Sequence, residues 1–104
     1  MNVSGRVNQH ISVRGNHSVY IRNDTNSAQW FKYSYELIID GYTAGSYSRN
    51  IDLKPGATFN ASDTTVGDLN KSSPGSYRMS ASTKIEGSSA SASDTSYATG
   101  TVSK

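Results

Sequence analysis

Two histidines, eight carboxylates and no cysteine are the chain's whole stock of catalytic and metal-ligating side chains. Nucleophilic catalysis needs a base poised beside its nucleophile. His17 adjoins Ser18, but on a strand neighbouring side chains point to opposite faces. There is no Gly-X-Ser-X-Gly elbow. His10 and His17 lack an evident third ligand for zinc. The richest oxygen sources are Asn23-Asp24-Thr25-Asn26 and the stretch from Asp63 to Asp68. Neither has the spacing of an EF-hand loop, and turn-forming Asx residues account for both. No catalytic residue, metal or cofactor is expected.

Charge narrows the partners. Ten basic and eight acidic residues give a net charge of +2, too small for a nucleic-acid footprint. Arg6, Arg14 and Arg22 recur every eight residues, but a turn expected at Gly15-Asn16 would break that stripe. No stretch approaches the roughly 20 apolar residues of a membrane-spanning helix. Instead the chain holds 19 Ser, 9 Thr and 8 Asn.

The elements that must position any site are strands. From Trp30 to Asp40 the residues Phe31, Tyr33, Tyr35, Leu37 and Ile39 alternate with Lys32, Ser34 and Glu36. From Tyr77 to Glu86 the same period sets Tyr77, Met79, Ala81, Thr83 and Ile85 against Arg78, Ser80, Ser82 and Lys84. Period two is the mark of a half-buried antiparallel strand. Shorter runs agree: Ile11 with Val13, Val19 with Ile21, Tyr47 with Ile51 and Leu53 (interrupted by Arg49), Phe59 with Ala61, and Ala98 with Gly100 and Val102. Turns are expected at Gly15-Asn16, Asp40-Gly41, Pro55-Gly56 and Pro74-Gly75. Only Asp63 to Lys71, with Val66 and Leu69 spaced i, i+3, suggests a single helical turn. Ser88 to Ser96 reads equally as linker or as a poorly packed edge strand. The 104 residues form one domain, with residues 1–9 a loose N-terminal segment.

Leu53-Lys54-Pro55-Gly56 precedes one short strand, and Ser73-Pro74-Gly75-Ser76-Tyr77 opens a strong one. A Pro-Gly turn followed by X-Tyr resembles the corner of bacterial immunoglobulin-like and fibronectin-III-like sandwiches, where the tyrosine hydroxyl bonds back to the preceding loop. Tyr77 matches that position, with Asp68 to Asn70 supplying the loop. The resemblance implies an all-β, antiparallel immunoglobulin-like β-sandwich of seven or eight strands, without a disulfide.

The functional expectation rests on aromatics. Tyr42 lies at the tip of a polar, glycine-flexed loop running to Tyr47, and a tyrosine so placed offers a flat amphipathic contact. Trp30 and Ile38 fall on the nominally polar face of their strand. Trp30, Ile38, Tyr42 and Tyr47 are therefore the candidate site for a protein or carbohydrate surface. A hydroxyl-rich, cysteine-free composition points to a secreted or periplasmic bacterial protein. The expected function is that of an exported, non-enzymatic binding domain acting as a monomer or weak oligomer. The alternative is an assembly module, such as a phage decoration or surface-layer subunit. Five Asn-X-Ser/Thr sequons, at Asn2, Asn16, Asn23, Asn60 and Asn70, follow from the composition.

Overall fold

The computed structural model describes residues 2–87 and 91–104. Seven strands run in chain order: β1 (Val3–Arg6), β2 (Ile11–Arg22), β3 (Gln29–Ile39), β4 (Tyr42–Leu53), β5 (Thr58–Leu69), β6 (Gly75–Gly87) and β7 (Ser91–Ser103). A five-stranded sheet has the order β1-β7-β6-β3-β4, and β2 pairs with β5 in a second, two-stranded sheet. The inward residues of both sheets make the core between them.

Alternation was the right guide. Tyr33, Tyr35, Leu37 and Ile39 are buried on β3, as are Met79 on β6 and Val102 on β7. The chain turns at Asp40-Gly41 with φ of 50° and 82°, and at Gly56 with φ of 79°. Paired positive φ values are the geometry a two-residue hairpin turn requires.

Five expectations are corrected. The fold is not purely antiparallel, because β1 pairs parallel to β7 through Val3↔Gly100 to Arg6↔Ser103. The N-terminal segment is thus docked over Val3–Arg6 rather than loose. There is no turn at Gly15-Asn16: β2 is unbroken, and every odd position from Ile11 to Ile21 is buried. Gly15 serves close packing, since a Cβ there would stand 2.8 Å from Thr65 Oγ1 and 3.0 Å from the Ala81 Cβ. Where a helical turn was expected over Asp63 to Lys71, the chain is strand as far as Leu69. Thr65 and Leu69 point inward while Val66 faces solvent, so the i, i+3 pair lies on opposite faces of β5. Finally, the loop from Tyr42 to Tyr47 is the first half of β4, with a bulge at Ala44 between the pairs Leu37↔Gly45 and Ile38↔Thr43. Of the stretch from Ser88 to Ser96, Ser91 onward is β7, and 88–90, with Ala90, lie outside the described residues.

Six strands of 11 to 13 residues, with the four-residue β1, form a thin two-layer stack and make a rod. Its Cα extents are 59 × 17 × 16 Å and its radius of gyration is 17.0 Å, against about 13 Å for a compact domain of this length.

Candidate functional site

On β3 the even-numbered side chains Trp30, Lys32, Ser34, Glu36 and Ile38 face away from the core. Ser48 and Ser46 of β4 lie opposite Ser34 and Glu36, and Lys84 and Ser82 of β6 flank the same two residues on the other side. The short serines leave a hollow between the longer Lys32, Glu36 and Lys84. This trough has a volume of about 490 Å³. Its chemistry is hydroxyl on the floor, with two ammonium groups and a carboxylate at the walls. Lys84 Nζ lies 2.9 Å from Glu86 Oε1, and that contact, more than the charge of Lys32, holds the Glu86 carboxyl below its ordinary range. Ser82 and Thr95 hydroxyls meet at 3.2 Å, extending the hydroxyl surface to β7.

Trp30 and Ile38 stand at the two ends of this strip. Eight residues of strand separate them, roughly 27 Å. Trp30 is 49% exposed and lies opposite Asp52. Ile38 is half-buried between Thr43 and Ser80. Beyond Ser80 comes Tyr97, which is 79% exposed. Sequence reading missed Tyr97 because only the β6–β7 register brings it into the Ile38 row.

Tyr42 and Tyr47 lie on the other face. Their register partners Ile39 and Tyr35 point inward, so the four candidate residues divide between the two sides of the sheet. Tyr42 packs over Lys71, whose ammonium is 5.8 Å from its ring and 5.3 Å from that of Tyr77. Asp40 Oδ2, at 2.6 Å, anchors the same ammonium and raises its pKa. The Tyr77 hydroxyl donates to the Ser73 carbonyl at 2.7 Å, so the corner bond forms, to Ser73 rather than to Asp68–Asn70.

Tyr47 borders a second cleft, of about 290 Å³, between β4 and β5. At its base the Tyr35 hydroxyl donates to Asp63 Oδ2 at 2.8 Å. Burial first, and then the Asp63 carboxylate, push the Tyr35 phenol far above its ordinary pKa. Behind Tyr35 the His17 ring stacks at 4.5 Å. His17 is buried, with Nδ1 3.0 Å from Thr83 Oγ1 and Nε2 2.9 Å from Thr65 Oγ1. Desolvation lowers its pKa, against the pull of Asp63. Both ring nitrogens are thus occupied by hydroxyls that can donate or accept.

His10 is exposed, within 3.9 Å of Asp68, and lies just before β2, seven residues ahead of His17. Among the described residues no three His, Asp or Glu side chains converge as a metal site would require. Asn23, within a sequon, is buried: its amide donates to the Ser27 and Leu53 carbonyls, and its oxygen accepts from Thr25. No protein-family model matches the chain, and no curated protein sequence matches it.

Proposed function

We propose that this is an exported, non-enzymatic binding module that lays a glycan along the outer trough of its five-stranded sheet. The observation that carries this reading is a hydroxyl-floored hollow with an indole left half in solvent on the same strand face, two residues beyond Lys32. Binding sites are concave with a few converging polar groups, and an exposed aromatic ring offers an apolar plane with a polar handle. The C–H face of a sugar ring would stack on Trp30. Its hydroxyls would exchange hydrogen bonds with Ser34, Ser46, Ser48 and Ser82, donate to Glu36 and accept from Lys32 and Lys84. The composition, poor in charge and rich in hydroxyls, supports export.

We read the architecture as an immunoglobulin-like module on two supports: two facing sheets, and the Tyr77–Ser73 corner bond. Fold alone supplies no ligand, so the reading rests on the trough. Glycan-array binding tests it. Trp30→Ala and Glu36→Gln should each weaken the captured glycan at least tenfold (about 1.4 kcal/mol) while far-UV circular dichroism and the unfolding midpoint stay at wild-type values. Binding that survives both substitutions would remove the trough as the site.

A further inference from the structure

The five-stranded sheet ends in β4, and among the described residues only β3 pairs with it. Proteins blunt such edges with proline, charge, bulges or shortness. β4 is 12 residues long, contains no proline, and carries only Arg49 and Asp52 as charged residues. Its one bulge, at Ala44, leaves Gly45 to Leu53 in regular register with β3. The opposite edge is protected at one end: β1 occupies Gly100 to Ser103 of β7, and Asn2 Oδ1 accepts from the Thr99 backbone N–H at 3.0 Å.

We infer that β4 pairs antiparallel with β4 of a second copy about a two-fold axis at Ser48, joining two five-stranded sheets into one. A strand meeting its own copy across a two-fold normal to the sheet is antiparallel, and the contact is self-complementary. A one-residue slip would turn inward positions outward, so inward odd-numbered residues must oppose inward ones. The axis then falls on a residue rather than between two. An axis at Arg49 would set that guanidinium against itself, and opposed like charges destabilise a pair. An axis at Ser48 sets Tyr47 opposite Arg49 of the other copy, twice over, with Ser46 opposite Asn50. Both Tyr47 and Arg49 are exposed; the Arg49 guanidinium lies 5.8 Å from the Phe59 ring, and in the pair the Tyr47 ring of the other copy becomes its second aromatic neighbour. Ser46 and Ser48 also line the trough, which therefore becomes continuous across the pair. This self-pairing stands independently of the glycan reading.

The chain has no cysteine, so single thiols report the register. Across an antiparallel pair the Cα atoms are about 4.5–5.5 Å apart, inside the range a disulfide spans. With oxidised glutathione as the oxidant, Ser48→Cys should form a covalent dimer at least tenfold faster than Ser76→Cys, which sits exposed on the central strand β6. Sedimentation equilibrium of the unmodified protein should show twice the monomer mass at high concentration, and Arg49→Glu should weaken that dimer at least tenfold. Trp30→Ala should leave it unchanged. Equal crosslinking rates for the two thiols, or faster crosslinking through Thr95→Cys on β7, would overturn the assignment. So would a strict monomer whose Ser48→Cys variant stays reduced.

Discussion

The two ends of the core are built from different materials and closed in different ways. At one end Ile11, Val13, Leu37, Ile39, Leu69, Met79 and Val102 form an aliphatic cluster, overlaid by Val3 and Val7. At the other, Val19, Ile21, Tyr33, Tyr35 and Leu53 pack with Phe31, Ile51 and Phe59. His17, with Thr65 and Thr83 on its ring nitrogens, lies between them. The aliphatic end is sealed because the N-terminal strand docks over it. The aromatic end grades outward through packed rings, Tyr33 and Tyr35 to Tyr47, until the last ring and Arg49 meet solvent. A large amphipathic ring can be half-buried with its polar tip wet. An aliphatic side chain has no such option, so the aromatic end is the one whose core rings reach out to the solvent at the β4 edge.

The contrast is sharpest for truncation. Leu37→Ala, which opens a cavity in the sealed end, should cost about 2–5 kcal/mol, read from the urea midpoint. Tyr47→Ala at the open rim should move that midpoint by a small fraction of as much. Comparable shifts would erase the distinction.

Asn23→Ala comes next, because Asn23 ties the β2–β3 connection to Leu53 at the aromatic end. Its loss removes the side-chain donor to the buried Leu53 carbonyl and should cost about 1–3 kcal/mol. Faster amide exchange should appear from Asp24 to Ser27, with the aliphatic end unchanged. Uniform exchange through both ends would show that the two halves open as one unit.

The smallest effect is that of pH on the belt between the halves. The folded pKa of His17 lies below its unfolded value of about 6.5. The unfolded chain therefore binds more protons in that window, and stability rises with pH. Stability should be full above the unfolded pKa and decline as pH falls through the folded one, then level off. A urea series from pH 8 to 5 checks the sign, and His17→Gln should remove that part of the slope.

Strand identity was legible wherever one face is apolar and the other polar, as on β3 and β6. It failed where small or polar residues carry the inward face. Gly15 looks like a turn residue in sequence, yet it sits mid-strand because the opposing Thr65 and Ala81 leave no room for a Cβ. The β5 segment from Asp63 has no inward large residue until Leu69, so its period was hidden and a chance i, i+3 spacing suggested a helix. Trp30, Tyr42 and Tyr47 are exposed, which their place in the sequence did not decide, and their division between two faces was not foreseen. The loop expected from Tyr42 to Tyr47 is a strand, and a strand assigns each residue a side.

What the sequence determined alone is the local pattern. Period two, Asp-Gly and Pro-Gly turns and a lack of helical stretches dictate long strands, because alternation decides which side chains leave water. The tertiary structure decided which strands are neighbours. Register between β3, β4 and β6 set four serines between two lysines and a glutamate, pairing in parallel docked β1 onto β7, and the strand order left β4 at an edge. Those outcomes depend on hydrogen-bond partners distant along the chain, and no local periodicity encodes which distant segment a strand will meet.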